Sequence, residues 1–377
     1  MPFEYPVWFT RDAFAPDNES LRRAFGEGPP RVYFVVDDGV VRATPALVTR
    51  IGTYAGEHDL AVVAAPQIVA GGEACKNDPF AVGNLQRRFF ELRLDRHAFV
   101  VIVGGGALLD MAGYAAATTH RGIRVVRVPT TVLAQADSGV GVKCGVNAFG
   151  AKNFLGAFAP PWAVVIDGAF LETLSRRDRV AGLAEAVKVA LVRDPLFFEW
   201  IEANAPGLVA GERAAVDTLV RRSAELHLRH IATGGDPFER GSARPLDFGH
   251  WSAHKLESLS QHELRHGEAV AIGIALDAHQ SVATGSLSAN DFGRIVRLLE
   301  RLGLPLWHDA LAVRAGSRRR VVDGIEEFRE HLGGQLCVTL LDAIGRGVEV
   351  HTLDARHVEQ AIEWAEARAC ASATASI

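Results

Sequence analysis

The chain has 377 residues, of which 48% are hydrophobic, and its formal net charge at pH 7 is −5. This length exceeds the size at which a single hydrophobic core usually stops growing, so we expect two domains. The charge gives no electrostatic case for nucleic acid or an anionic membrane, and the longest apolar runs are too short to span a bilayer. Four cysteines without metal-finger spacing, and an N-terminus without a signal-peptide pattern, favour a protein of the reducing cytoplasm.

The first 160 residues alternate continuous apolar runs with helical patterns. Continuous apolarity is typical of strands that are buried on both faces of a parallel sheet. The runs predict strands at 31–37, 59–65, 98–103 and 125–128, and the stretches between them predict helices at 44–56, 84–92 and 107–119. We therefore predict a doubly wound, Rossmann-like α/β domain at 1–160, with ligands bound beyond the carboxyl ends of its strands.

Helical periodicity dominates the rest of the chain, from 161 to 377. It predicts helices at 180–205, 214–232, 248–258, 267–283 and 291–302, and an isolated strand at 335–341. We expect a second, mostly α-helical domain, with the active site in the cleft between the two domains.

A polar segment punctuated by glycines runs from Asp137 to Phe158. Glycines let the backbone approach a ligand closely, and lysine side chains suit a phosphate group. A solvated surface loop is the alternative, but the nearby threonine pair and acid favour a site for a phosphorylated ligand. The residues in question are Asp137, Lys143, Lys152, Asn153, Thr130 and Thr131.

Other candidate ligand-binding residues of the first domain also have a structural explanation. A run of glycines follows a buried strand and opens a helix, which lets phosphate reach backbone N–H groups but equally suits a tight turn. Asp37 ends a strand and could bind a ribose or cap a helix. The candidates are Gly104, Gly105 and Gly106 with Asp110 in the helix, Asp37, and Glu73 and Lys76 after the second strand.

A metal site is the main hypothesis for the helical half. Glu185 is an acid within an apolar helical run, one turn before Lys188, and must be paired or ligated if it is buried. His250 and His254 share a helix face, and His266 opens the next helix; a structural or surface role is the alternative for such a histidine pair. One carboxylate and two imidazoles leave the open fourth position of a catalytic zinc site.

Several long motifs, in order, resemble those of the sugar phosphate cyclase superfamily, whose best-known member is 3-dehydroquinate synthase. They span residues 30–345 and are GGGALLDMAGYAAATTHRG, VPTTVLAQADSGVGVK, KNFLGAF, GLAEAVK, the histidine pair and RHGEAVAIG. The resemblance implies a dehydroquinate synthase-like fold and a phosphate-eliminating carbon–oxygen lyase. In that reaction NAD oxidises and later reduces the same ring carbon, phosphate leaves, and an intramolecular aldol step closes a carbocycle.

The resemblance also implies a role for each candidate residue. NAD would contact Asp37, Glu73, Lys76, Gly104, Gly105, Gly106, Asp110, Thr130 and Thr131, with Lys143 and Lys152 close to it. Zinc or cobalt would be held by Glu185, His250 and His266. The pocket for a small sugar phosphate would be lined by Asp137, Lys143, Lys152, Asn153, Lys188, His254 and Asp247. Arg121 would reach the phosphate bound in a neighbouring subunit, which implies a homodimer.

Departures from the pattern of 3-dehydroquinate synthases bear on the substrate. Their R-x-x-L-N-x-G-H stretch is replaced by Ala243-Arg244-Pro245-Leu246-Asp247-Phe248-Gly249-His250. Ala243 thus fills the position of an arginine that would bind a substrate carboxylate, and Asp247 would repel one; replacement of that arginine by Arg244 or Arg229 is the alternative. GVGVK also replaces SVGGK, and Arg329-Glu330-His331 replaces a DKK motif. These differences favour sedoheptulose 7-phosphate and a valiolone-type cyclitol product, as in the 2-epi-valiolone synthase-like branch.

Three alternative functions stay open at this point. The first is 3-dehydroquinate synthase activity on 3-deoxy-arabino-heptulosonate 7-phosphate. The second is a metal-dependent polyol dehydrogenase of the glycerol dehydrogenase type, which would accumulate NADH and has no use for the lysines at 143–153. The third is an inactive, ligand-binding or scaffold relative, against which the full set of metal and lysine residues argues.

Overall fold

The computed structural model describes residues 3–233, 245–331 and 334–375. The chain divides into two compact units, Met1–Ser175 and Arg176–Ile377. The first unit extends past the predicted boundary at residue 160 because the strand Ala163–Asp167 pairs within its sheet. Within the described ranges, no helix is both long and apolar enough to cross a membrane.

A parallel sheet of seven strands forms the centre of the first unit, in the order β1-β9-β6-β5-β2-β3, with β4 also paired to β2. These strands are β1 (Val7–Thr10), β2 (Arg31–Asp37), β3 (Ala61–Val62), β4 (Gln67–Val69), β5 (Phe99–Gly104), β6 (Arg124–Pro129) and β9 (Ala163–Asp167). The strand predicted at 59–65 is wrong in extent: it is only β3, and β4 follows after Pro66, which has no N–H to donate to a ladder.

The central strands of this sheet are buried on both faces, as their continuous apolar runs predicted. In β2, Val32, Phe34 and Val36 belong to one hydrophobic cluster, whereas Tyr33 and Val35 belong to another. Helices cover the sheet: α1 (Asp38–Ala43), α2 (Leu47–Glu57), α3 (Ala74–Asn77), α4 (Ala81–Glu91) and α5 (Gly106–Thr118). The doubly wound α/β fold is confirmed.

The polar segment after β6 is more regular than its composition indicated. A π-helical turn at Ala134–Ser138 leads into an antiparallel hairpin of β7 (Lys143–Ala148) and β8 (Ala151–Phe158). Phe149 and Gly150 both have positive φ at its tip, the backbone geometry of a tight hairpin turn.

The second unit is mostly helical, as predicted. Its helices are α6 (Arg176–Arg193), α7 (Pro195–Ala210), α8 (Arg213–Thr233), α9 (His250–Leu259), α10 (His266–Ala283), α11 (Ala289–Leu302), α12 (Asp323–His331) and α13 (Ala355–Ala375). The single helix predicted at 180–205 is wrong, because Asp194 caps a new helix by accepting a hydrogen bond from the Phe197 N–H and Pro195 occupies its first turn.

The short strands of the second unit form two hairpins. One comprises β10 (Arg314–Ala315) and β11 (Arg318–Arg319), and the other comprises β12 (Val338–Ala343) and β13 (Arg346–Val350). The strand predicted at 335–341 therefore exists but is not isolated.

Candidate functional site

Three helices of the second unit bring Glu185, His250 and His266 together. Their potential ligand atoms lie within 4.8 Å of one another. Glu185 Oε1 is 3.2 Å from His266 Nε2 and 3.6 Å from His250 Nε2. Glu185 is 2% exposed, so its charge needs compensation from nearby groups.

Glycines in α10 allow the helices that carry these three side chains to approach so closely. A Cβ atom at Gly267 would overlap the carbonyl oxygen of Ala181 in α6. A Cβ atom at Gly273 would overlap the carbonyl oxygen of Gly249, directly before His250. Any larger residue at either position would therefore push apart the helices that hold the cluster.

Hydrogen bonds behind the two imidazoles aim their Nε2 atoms at Glu185. His266 Nδ1 lies 3.0 Å from Glu257 Oε2, and His250 Nδ1 lies 3.1 Å from the Phe248 carbonyl oxygen. With a proton on each Nδ1, each Nε2 keeps a free lone pair, which is the state that binds a metal ion. The donor set of one carboxylate and two oriented imidazoles therefore fits Zn²⁺ or Co²⁺.

Lys188 and His254 border the same cluster. The Lys188 ammonium contacts Glu185 Oε2 from one turn along α6, and Lys188 is 3% exposed. Burial alone would raise the pKa of Glu185, but Lys188, His250 and His266 outweigh it and hold that pKa well below its usual value. The His254 ring centroid is 5.4 Å from that of His250 and 6.0 Å from that of His266.

A second cluster lies in the first unit, where α3, α5 and β8 meet. Lys76 is buried; its ammonium is 2.7 Å from Asp110 Oδ2 and also donates to Asn153 Oδ1. Burial lowers the pKa of Lys76, but the charges of Asp110 and Glu73 outweigh burial and raise it. The ammonium therefore stays charged inside this network.

Asn147, which the sequence analysis did not single out, connects the hairpin to α3. Its amide nitrogen donates to Glu73 Oε1 at 2.7 Å, and its amide oxygen accepts from the Asn153 N–H at 2.9 Å. Four of the residues predicted to bind NAD or substrate therefore belong to one hydrogen-bonded network with Asn147: Glu73, Lys76, Asp110 and Asn153.

The glycine turn after β5 has polar side chains beside it. A Cβ atom at Gly106 would lie 2.7 Å from Ser138 Oγ, and one at Gly105 would lie 3.2 Å from the Thr131 side chain. The hydroxyls of Thr130 and Ser138 are buried and have no hydrogen-bond partner among the described residues. Buried hydroxyls without partners fit a polar ligand such as a dinucleotide at this turn.

Asp37 caps a helix, which is the structural alternative that the sequence left open. Its carboxylate accepts a 2.7 Å hydrogen bond from the Gly39 N–H at the start of α1. Burial raises its pKa, although hydrogen bonds from Gly39 and Val40 oppose the shift. A contact with a ribose stays a prediction.

The remaining predicted residues are spread over both units. Asp137 lies in the π-helical turn, Lys143 begins β7, and Lys152 lies in β8. Arg121 is exposed in the turn after α5, with φ of 64°. Asp247 lies in a short 3₁₀ turn directly before α9.

The positions proposed to compensate for the missing arginine are only partly described. Arg229 is exposed on α8. Ala243 and Arg244 lie outside the described residues. Arg329, from the stretch that replaces the DKK motif, pairs with Glu326 of its own helix, α12.

Glu257 was also missed, although the sequence carried a signal for it. His250, His254 and Glu257 follow one another at helical spacing of four and three residues, which places them on one face of α9. His254, Glu257 and His266 form a second group whose potential ligand atoms lie within 4.8 Å.

Comparisons with known proteins indicate the family to which this chain belongs. The family model for the 3-dehydroquinate synthase N-terminal domain matches residues 67–181, and the model for its C-terminal domain matches 182–321. A 3-dehydroquinate synthase from Halorhodospira halophila is 41% identical over 259 residues, which are 68% of this chain and 71% of that protein.

Two solved structures are similar over almost the whole chain. A 2-epi-5-epi-valiolone synthase from Streptomyces hygroscopicus, with NAD⁺ and Zn²⁺ bound, has a TM-score of 0.88 and 30% identity and covers 98% of each chain. A 2-deoxy-scyllo-inosose synthase complexed with carbaglucose-6-phosphate, NAD⁺ and Co²⁺ has a TM-score of 0.77 and 25% identity, covering 94% of this chain and 95% of the other. The chain therefore belongs to the 3-dehydroquinate synthase family of sugar phosphate cyclases, which are phosphate-eliminating carbon–oxygen lyases.

Proposed function

We propose that this enzyme is an NAD- and metal-dependent cyclase that converts sedoheptulose 7-phosphate into a valiolone-type cyclitol. The observation that carries the cyclase chemistry is the buried cluster of Glu185, His250 and His266 with Lys188 beside it. The relatives with bound NAD⁺ and Zn²⁺ or Co²⁺ support the same two cofactors here.

Glu185, His250 and His266 would hold the metal ion. A divalent cation bound there would polarise a substrate oxygen and lower the barrier to its deprotonation. Lys188 supplies a buried positive charge beside the cluster, suited to an oxygen on which negative charge develops. The imidazole of His254 can hold or move a proton at the edge of the cluster.

The first unit would bind NAD at the turn Gly104, Gly105 and Gly106. When bound, NAD would supply a hydride acceptor whose reduced form can return the hydride, so no NADH would accumulate. The hydroxyls of Thr130 and Ser138 would each gain a hydrogen-bond partner in the bound state.

Asp137, Lys143, Lys152 and Asn153 would bind the sugar phosphate. The two lysines carry the charge to stabilise the departing phosphate, and the acid can orient a sugar hydroxyl. Because Lys76 donates a hydrogen bond to Asn153, a movement of the NAD-binding segment would also move this substrate-binding residue.

Asp247 carries the choice of substrate. A carboxylate three residues before α9 disfavours a sugar that carries a carboxylate itself. Ala243 also fills the position of the arginine that would bind such a group, and loss of that charged contact would lower the preference for this sugar by about a hundredfold. The high similarity to a 2-epi-5-epi-valiolone synthase supports this choice. The second candidate is 3-dehydroquinate synthase activity, which the name of the 41% identical relative favours.

Phosphate release tests these proposals. Purified protein with NAD and Zn²⁺ or Co²⁺ is incubated with sedoheptulose 7-phosphate and, separately, with 3-deoxy-arabino-heptulosonate 7-phosphate. We expect phosphate from the first sugar only. Turnover of the second alone would establish the second candidate, net NADH formation with a polyol would indicate a dehydrogenase, and no turnover at all would indicate an inactive relative.

A pair of lysine variants adds a control for the site. Lys188→Met should lower kcat by about two to three orders of magnitude, because a charge that stabilises the transition state is removed. Lys255→Met removes another largely buried lysine of the same unit, one that pairs with Glu327 instead. It should leave kcat within about threefold of wild type.

We also propose a homodimer, as the family resemblance implies. The tip and outer strand of the hairpin carry large exposed apolar side chains: Phe149 is 89% exposed, Phe154 57% and Phe158 47%. The rings of Phe149 and Phe154 lie 5.4 Å apart, and grouped exposed apolar side chains of this kind are typical of a protein interface. Arg121 would then approach the phosphate site of the partner.

A further inference from the structure

A buried arginine binds the backbone of the loop that precedes β7. Arg127, in β6, is 2% exposed. Its Nη1 donates to the carbonyl oxygens of Gly139 at 3.3 Å and Gly141 at 2.6 Å, and its Nη2 donates to that of Lys143 at 3.2 Å. One side chain therefore binds every second carbonyl group from 139 to 143.

The two carbonyl groups between these are bound by other parts of the first unit. The Tyr5 hydroxyl donates to the Val140 carbonyl oxygen at 2.8 Å. The Ala159 N–H donates to the Val142 carbonyl oxygen at 2.7 Å. All five carbonyl groups of residues 139–143 thus have a hydrogen-bond partner, and the loop is held along its whole length.

Packing alone does not explain an arginine at this position. Its neighbours Val126 and Val128 are completely buried core residues. The hydrogen-bond partners of Arg127 are carbonyl groups instead of a carboxylate, and burial lowers its pKa although the charge of Asp110 opposes the shift. Burying such a cation is costly, so an apolar residue would serve the core better.

Arginine is suited to this task because its guanidinium is a rigid planar fork with five donors. A lysine ammonium is a compact point charge and cannot reach carbonyl groups spread over five residues in the same fixed geometry. The loop it binds contains two glycines, which would otherwise leave the backbone free to adopt many conformations.

We propose that Arg127 is a positioning residue that pre-organises loop 139–143 and thereby sets the placement of Lys143, at the end of the loop, and of Asp137, two residues before its start. This inference rests on the proposed function, in which those two side chains bind the sugar phosphate. A loop that is already ordered does not lose conformational entropy when the substrate binds, so Arg127 acts chiefly on substrate affinity.

Hydrogen exchange of the full-length, ligand-free protein tests the positioning directly. The amides of Gly139 and Val140 donate within the turn, to Ala134 and Asp137, and report whether it stays closed. In Arg127→Lys and Arg127→Gln we expect these amides to exchange at least about tenfold faster, because charged hydrogen bonds are lost. The peptide of residues 31–37, in β2, should exchange as in wild type. Wild-type protection of the loop in Arg127→Lys, or an equal loss of protection in β2, would overturn the proposal.

Tyr5→Phe provides a variant that leaves the buried cation in place. It removes only the hydroxyl bound to Val140, so loop exchange should accelerate by about threefold. Exchange in Tyr5→Phe that is faster than in Arg127→Lys would assign the order of the loop to Tyr5 and would contradict the proposal, whereas slower exchange than in Arg127→Lys supports it.

Kinetics with the turned-over sugar phosphate give the second readout. Arg127→Gln should raise KM by about tenfold and lower kcat by less than about threefold, because the loop of the variant loses conformational entropy when the substrate binds. A purely structural role would lower the fraction of active enzyme, and hence kcat, at an unchanged KM. If neither sugar is turned over, the proposed function fails, whereas the exchange experiment still decides whether Arg127 orders the loop.

Discussion

Glu257 offers the sharpest test of the metal cluster, because it touches the site without belonging to the predicted ligand set. Its carboxylate lies 3.0 Å from His266 Nδ1, and the residue is 4% exposed. Glu257→Gln keeps the shape of the side chain but removes the negative charge that holds the proton on Nδ1. Loss of such an outer contact typically weakens metal binding by 10- to 100-fold, or about 1.4–2.7 kcal/mol.

Zn²⁺ affinity measured by competition with a chromophoric chelator gives the size of this effect. The absorption spectrum of the Co²⁺-substituted protein reports independently on the ligand geometry. Glu327→Gln is the matched control. Glu327, in α12, pairs with Lys255, which lies on α9 as Glu257 does, and the Glu327 side chain is 59% exposed. If Glu257→Gln binds Zn²⁺ within about twofold of the control, the carboxylate does not orient His266 and the reasoning fails.

Three further predictions concern the support of the site and the assembly. Burial raises the pKa of Asp277 to about 7, so the folded state keeps a proton that the unfolded chain releases near pH 4. The stability of the wild type should therefore fall as the pH rises from about 4 to 7, and the stability of Asp277→Asn should not show this fall in thermal unfolding. Parallel curves of stability against pH for the two proteins would contradict the assignment. Gly273→Ala should lower both the unfolding free energy, by about 1–3 kcal/mol, and Zn²⁺ affinity, whereas Gly52→Ala, with open space around its Cβ, should lower neither. Phe154→Ser should shift the protein from dimer to monomer in light scattering, and Leu196→Ser, which changes an apolar side chain of α7 that is 69% exposed, should leave the dimer intact; a wild-type monomer would refute the proposal.

The parallel sheet could be predicted from the sequence because its strands are buried on both faces. β2 and β5 contain few polar residues, so a short continuous apolar run marks each of them. The edge strands β3 and β4 are too short and too exposed to produce such a run. The hairpin of β7 and β8 was missed for a similar reason: most of β8 is exposed, so its residues show neither continuous apolarity nor alternation.

The chemistry-bearing residues could be found where a charge interrupted an apolar pattern. Glu185 stood out because it lies in a helical run of alanine, leucine and valine, and the structure indeed buries it. Glu257 and Asn147 do not stand out in this way, because their importance comes from contacts with other elements: His266 begins α10, and Glu73 directly precedes α3. Such pairings depend on the packing of helices and hairpins, which one sequence does not reveal.

Arg127 shows that the same sequence signal can be overlooked. It interrupts the apolar strand RVVRVP in the way that Glu185 interrupts α6, and both side chains are almost completely buried. A buried charge lowers the stability of the fold unless nearby groups compensate for it, so its presence at each of these two positions indicates a functional role. For Glu185 that function is the candidate metal site, and for Arg127 it is a loop whose carbonyl groups the guanidinium binds. The charges inside apolar segments therefore point to the site and also to the parts that hold it in shape.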